Sequence, residues 1–257
     1  AAVPSCFNDL RGPGGLREVS AADSACFPRD LSVPGRSVSL PGVFSRRIRM
    51  ALAGLSAIML ASCAGNPRGV LTPVAETAQG ATKVEMLVAT TRKKADNPAE
   101  MFSGGGGERS AFADIAVSIP PASARTTGDV QWPRRLPGNP ATDFVALRAD
   151  FLDQDEALRR FRRVVAKSPG RSVLVFVHGY NNRFEDAVFR FAQIVNDAGA
   201  DVAPVLFTWP SQGSLLAYGY DRESANFSRD SLENLLTALS KEKGVKANLL
   251  AKLEFFN

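Results

Sequence analysis

Histidine is the scarcest functional residue in this 257-residue chain, which holds a single one, His178. A Ser-His-Asp triad needs an imidazole as general base, so triad chemistry would have to use that ring. Cysteine is almost as sparse. Cys6, Cys26 and Cys63 all lie in the first quarter, which excludes a disulfide from everything downstream. One histidine and no downstream cysteine leave only carboxylates as zinc ligands, so neither a metal nor a cofactor is expected. No Gly-x-Ser-x-Gly occurs: Ser211 and Ser214 flank Gly213 without the spacing of a nucleophile elbow. The run Gly104 to Gly107 lacks a following Gly-Lys-Ser/Thr and reads as a mobile loop, not a phosphate loop.

Charge of one sign is lacking as well. The net charge is +5, from 31 Lys and Arg against 26 Asp and Glu. Seven of the basic and four of the acidic residues precede Ala64, and the remainder is too even for a nucleic-acid footprint. Arg159, Arg160, Arg162 and Arg163 do cluster, but they alternate around Phe161 and Val164 and read as the solvated side of a helix. What is present is an ordinary globular composition, with 45% hydrophobic and 8% aromatic residues.

Arg46, Arg47 and Arg49 precede an uncharged apolar run from Met50 to Leu60, which ends in Leu60-Ala61-Ser62-Cys63. The run is too short to span a bilayer; a basic region, a short apolar region and a small-residue site describe a processing signal. The pattern resembles a bacterial lipoprotein signal peptide over residues 43–63. That resemblance implies lipidation of Cys63, anchoring in the cell envelope facing the periplasm, and the outer membrane in preference, since Ala64 is not the aspartate associated with inner-membrane retention. Residues 1–42 are rich in Pro, Gly and Ser and read as a non-native or disordered upstream extension, with Val43 or Met50 as the natural start. Residues 64–81, with Pro67 and Pro73, read as a tether between lipid and domain.

From Thr82 the chain alternates. Strands are predicted at Val84–Thr90 and Ile115–Ile119, followed by a Pro/Gly-rich passage through Trp132 and Pro137. A helix over Asp153–Val165 precedes the continuous apolar strand Ser172–Val177, of the kind that parallel sheets bury on both faces. An amphipathic helix over Arg183–Ala198, closed by Gly199, leads to a strand at Val202–Phe207. A single helix over Ser224–Lys243 and a strand at Val245–Ala251 complete the pattern. Strand and helix alternating at this spacing predict an α/β fold with a mostly parallel sheet and flanking helices.

In such sheets the chemistry collects beyond the carboxyl ends of the strands. His178-Gly179-Tyr180-Asn181-Asn182 follows the strand ending at Val177. His178 and Gly179 are read as shaping the turn, and the backbone amides of Tyr180 and Asn181 as candidate oxyanion-hole donors. Trp209 and Ser211, after the next strand, are candidate pocket walls. Asp221 could line the cleft mouth, or cap a solvated helix.

The segments VLVFVHGYNNRFEDAVFRFAQIV, LFTWPSQG and YGYDRESANFS, with the earlier MLVATTR and VSIPP, resemble a bacterial α/β-hydrolase family of unknown function whose members are often lipoproteins. The similarity runs from about Val84 to about Leu250. It implies a serine hydrolase acting on a small-molecule ester or amide, in which the strand at Val245–Ala251 would lead into the nucleophile elbow. Here that strand is followed by Lys252 to Asn257, and nucleophile, acid and base are all missing. Residues 82–257 therefore read as the N-terminal part of such a domain, truncated before its elbow, inactive as given and low in soluble yield. A non-catalytic, membrane-anchored binding lipoprotein is the alternative.

Overall fold

Apolar, β-branched runs place the middle of the sheet. The computed structural model describes residues 65–199 and 201–251, which belong to the second of two units, Ala1–Ser62 and Cys63–Asn257. The upstream extension, the signal-peptide pattern and Cys63 lie outside the described residues. The strands are β1 (Thr82–Lys94), β2 (Phe102–Ile119), β3 (Val145–Leu152), β4 (Ser172–Val177), β5 (Ala203–Thr208) and β6 (Lys246–Ala251). They form one sheet in the order β3-β2-β1-β5-β4-β6. β1, β5, β4 and β6 are mutually parallel, while β2 is antiparallel to both β1 and β3. The predicted α/β class holds: the sheet is mostly parallel and flanked by helices, as a partial α/β-hydrolase fold requires.

Among the described residues four α-helices follow in chain order: α1 (Gln154–Lys167), α2 (Phe184–Asp197), α3 (Tyr218–Phe227) and α4 (Arg229–Lys241). The period-two alternation of the strands divides the core. Val84, Met86 and Val88 of β1, with Phe176 and Leu206, pack against Phe184, Val188, Phe191 and Val195 of α2. Leu87, Val173, Val175 and Val205 point the other way, against Ala157, Phe161 and Val165 of α1 and Leu239 of α4. Asp153 starts α1 with a reciprocal capping box: its side chain accepts from the Glu156 amide at 2.7 Å, and Glu156 accepts from the Asp153 amide at 2.9 Å.

Several expectations are corrected. The glycine run is no loop but part of the 18-residue β2, which bulges twice against β1 around Arg92. Glycine is needed there for close approach, since a Cβ on Gly104 would stand 2.9 Å from the Ser211 carbonyl and one on Gly107 3.0 Å from that of Arg92. β3 falls in a stretch where no strand is predicted. The expected helix over 224–243 is two helices, broken at Ser228, whose hydroxyl turns back to the Ser224 carbonyl at 2.8 Å. Part of the expected tether is docked: Val70 and Leu71 are buried in the core, and the Leu71 and Val74 amides donate to the carbonyls of Ala99 and Ala146. Arg160 is not on a solvated face; it pairs with Asp114 and Glu85 at 2.8 Å each, and against the opposing effect of burial Lys83 and Arg160 together hold Glu85 down at a pKa of about 2.

Phe191 is fully buried and stacks on Phe176 with ring centroids 5.1 Å apart. Phe191→Ala should lower unfolding free energy by about 3–5 kcal/mol, and Asp153→Ala at the exposed helix start by only about 1 kcal/mol. Urea denaturation of both variants checks this, and equal losses would contradict the assignment of Phe191 to the central layer.

Candidate functional site

Because β1, β4 and β5 run parallel, their carboxyl ends reach one edge of the sheet and bring three segments together. β1 contributes Thr90 to Arg92. The turn after β4 contributes His178 to Asn182, and the loop after β5 contributes Trp209 to Gly213. α3 adds Asp221 from its first turn.

Arg92 lies at the junction and is 1% exposed. Its Nη1 donates to the carbonyls of Ser211 at 3.0 Å and Ser103 at 3.2 Å, and its Nη2 to that of Asn182 at 2.8 Å. Nη2 also stands 3.3 Å from His178 Nε2. Burial lowers the guanidinium pKa to about 10, opposed by the charges of Glu185, Asp221 and Asp186, so Arg92 remains a cation at neutral pH. Beside it, Thr90 donates to the Thr208 carbonyl at 3.0 Å and accepts from the Arg92 amide and the Thr208 hydroxyl, which sews β1 to β5.

His178, read from the sequence as shaping the turn, is fully engaged. Its Nδ1 lies 2.7 Å from the Gly179 carbonyl, which can only accept, so the ring proton sits on Nδ1. Nε2 then accepts from the Trp209 amide at 3.1 Å and from Arg92. The Trp209 carbonyl, also 3.1 Å from Nε2, is in that tautomer a neighbour and not a partner. The imidazole stacks on the Trp209 indole with centroids 4.7 Å apart, and the indole N–H donates to the His178 carbonyl at 3.0 Å. Desolvation, reinforced by the Arg92 charge, pushes the His178 pKa down to about 3.

Trp209 and Ser211, expected as pocket walls, are buried instead, at 4% and 0% exposure. The Ser211 hydroxyl donates to Asp221 Oδ2 at 2.5 Å and accepts from the Asn182 amide at 3.0 Å. Asp221 neither lines a cleft mouth nor caps a solvated helix. It is completely buried, and accepts from Ser211, from the Gln212 amide at 2.9 Å and from the Asn181 amide at 3.3 Å. A buried carboxylate must be satisfied by donors, and one of those used is an expected oxyanion amide, that of Asn181. The strained backbone of the turn also falls on Asn181, at φ 56°. The Tyr180 hydroxyl reaches across to the carbonyls of Leu215 and Ser214. Glu185, in the first turn of α2, is buried with Arg183 3.6 Å away, and desolvation raises its pKa. Sequence reasoning missed Arg92 and the bracing role of Asp221; Arg92 closes the quoted MLVATTR segment, the one signal that could have found it.

Residues 153–251 match the family model of an alpha/beta hydrolase of unknown function (DUF900). No curated protein and no solved structure matches the chain. The hydrolase-like segment runs from α1 to β6 and takes in His178, Trp209, Ser211 and Asp221, while Arg92 reaches it from β1 outside the matched region. Among the described residues, no group of three His, Cys, Asp or Glu could hold a metal ion.

The depressed pKa of His178 sets a pH dependence. Between about pH 6.5 and 3 the unfolded ring binds a proton that the folded ring refuses. The stability it contributes is therefore complete above pH 6.5 and lost as pH falls through that window, at about 1.4 kcal/mol per unit. Glu185, with its raised pKa, acts in the opposite sense. As the only histidine, His178 can be followed by proton NMR: its ring resonances should stay fixed between pH 8 and 5, and a midpoint near 6.5 would contradict the buried, neutral ring.

Proposed function

We propose that this chain carries the oxyanion-side portion of an α/β serine hydrolase of the cell envelope, an esterase- or lipase-like lineage acting on small-molecule esters or amides, and that these residues alone do not turn substrate over. The observation that carries the lack of turnover is the state of His178. A general base needs a free ring nitrogen within reach of a nucleophile and a pKa near the working pH; this ring has both nitrogens engaged and a pKa of about 3. No other histidine exists among the 257 residues, so a triad would need its base from outside them. Ser211 is not a substitute nucleophile, because its hydroxyl is spent on Asp221 and is closed to solvent.

The family match over residues 153–251 supports the hydrolase lineage. Attachment to the envelope membrane through a lipid on Cys63, facing the periplasm, follows from the signal-peptide pattern and belongs to the same proposal. Among the described residues no helix is long and apolar enough to cross a membrane. A second reading, a lipid-anchored binding protein without catalysis, draws on the same engaged His178.

The purified chain should show no hydrolysis of p-nitrophenyl acetate or butyrate above that of a His178→Asn variant, and no labelling by a fluorophosphonate. Turnover abolished by the fluorophosphonate would overturn the proposal.

A further inference from the structure

Eight large hydrophobic side chains are exposed among the described residues, and five of them fall between Leu215 and Phe227. Leu216 is 98% exposed and Leu215 72%, followed by Phe227 at 70%, Tyr218 and Tyr220. The two leucines sit on a short 3-10 turn that begins at Ser214. The turn is braced from beneath. The Tyr180 hydroxyl holds the Ser214 and Leu215 carbonyls, Tyr180 meets Tyr218 edge to face at 5.5 Å, and the Tyr220 hydroxyl donates to the Gly104 carbonyl at 3.1 Å. A firmly held turn that presents leucine outward, with tyrosines on its flank, has the chemistry of a membrane-interface contact.

A second observation places the start of the domain at this same edge. Asn66 donates to Asp186 at 2.8 Å, and Arg183 Nη2 donates to the Asn66 carbonyl at 2.8 Å and to that of Pro67 at 3.4 Å. The Arg183 stem in turn packs on Gly213, where a Cβ would lie 2.4 Å from Arg183 Cγ. Gly213 leads directly into Ser214 and the leucine turn. Cys63 is three residues before Asn66 in the sequence, which leaves a short stretch between the proposed lipid and this edge.

We propose that the sheet edge carrying His178 faces a lipid bilayer, with Leu215 and Leu216 entering the boundary between headgroups and acyl chains close to the lipid on Cys63. The surface rests on the lipid-anchor part of the proposed function, and two membrane signals on one edge fix orientation as well as attachment. Leu216→Trp, a change at a solvent-exposed position, reports on it directly. The full chain is expressed in bacteria that lipidate it and reconstituted into phosphatidylethanolamine–phosphatidylglycerol vesicles, with and without acyl-chain-brominated phospholipid. The added indole, read as the difference from the parent with its Trp132 and Trp209, should shift to the blue and be quenched by the brominated lipid. A chain that floats with the vesicles while the added indole keeps its water-exposed emission overturns the orientation.

Failure of the anchor itself gives a different result, no acyl mass on Cys63 and no flotation. The leucine turn is then tested alone in the Cys63→Ser chain. Replacing Leu215 and Leu216 together by Ser should weaken its residual partitioning into the same vesicles at least about tenfold, and unchanged partitioning overturns the proposal by itself.

Discussion

A buried guanidinium is the constraint on which the site depends. Removing a cation from water costs several kcal/mol unless acceptors are arranged around it, and among the described residues no carboxylate is hydrogen-bonded to Arg92 to do this. Three backbone carbonyls do it instead, from β2, from the turn after β4 and from the loop after β5. Each charge-assisted hydrogen bond contributes about 1.5–3 kcal/mol, and together they require those segments to converge. The convergence explains other features in turn: β2 must bulge around Arg92, and its glycines must let the chain pass close to Ser211 and to Arg92 itself.

Asp221 is the complementary constraint. It sits close enough to counter the charge of Arg92 and gathers donors from Ser211, Gln212 and Asn181. Burial and the Arg92 cation hold His178, stacked on Trp209, as a neutral ring whose work is structural. In the proposed function this edge of the sheet is a pre-formed scaffold in which the imidazole is not a free general base. The same bracing extends outward through Tyr180 to the turn that exposes Leu215 and Leu216.

The parallel part of the fold was legible because burial on both faces forces near-continuous apolar runs: Ser172–Val177 was predicted with its observed limits, and Arg183–Ala198 within one residue at each end. β3 was not, because VALRADFL buries only its first residues and exposes Asp150 and Phe151 at the sheet edge. The glycine run hid part of β2, since low strand propensity outweighs a close approach that only the folded partner reveals. His178 as a turn residue followed from its place after an apolar strand. Arg92 could not be read so: the carbonyls that justify its burial lie 11, 90 and 119 residues away in sequence. Ser211 and Asp221 likewise look like ordinary polar loop residues until the Arg92 cluster closes over them.

The central claim, that the Arg92 guanidinium holds the three loops in register, is tested most directly by residue-resolved hydrogen exchange on Arg92→Met, which keeps much of the stem and removes the charge. Protection should fall at Asn181, Asn182, Trp209 and Gln212, whose amides are hydrogen-bonded within the cluster, and persist across Val173–Val177 and Ala203–Phe207 in the sheet. Unchanged protection at the loop amides, or a uniform loss that includes the central strands, would contradict it.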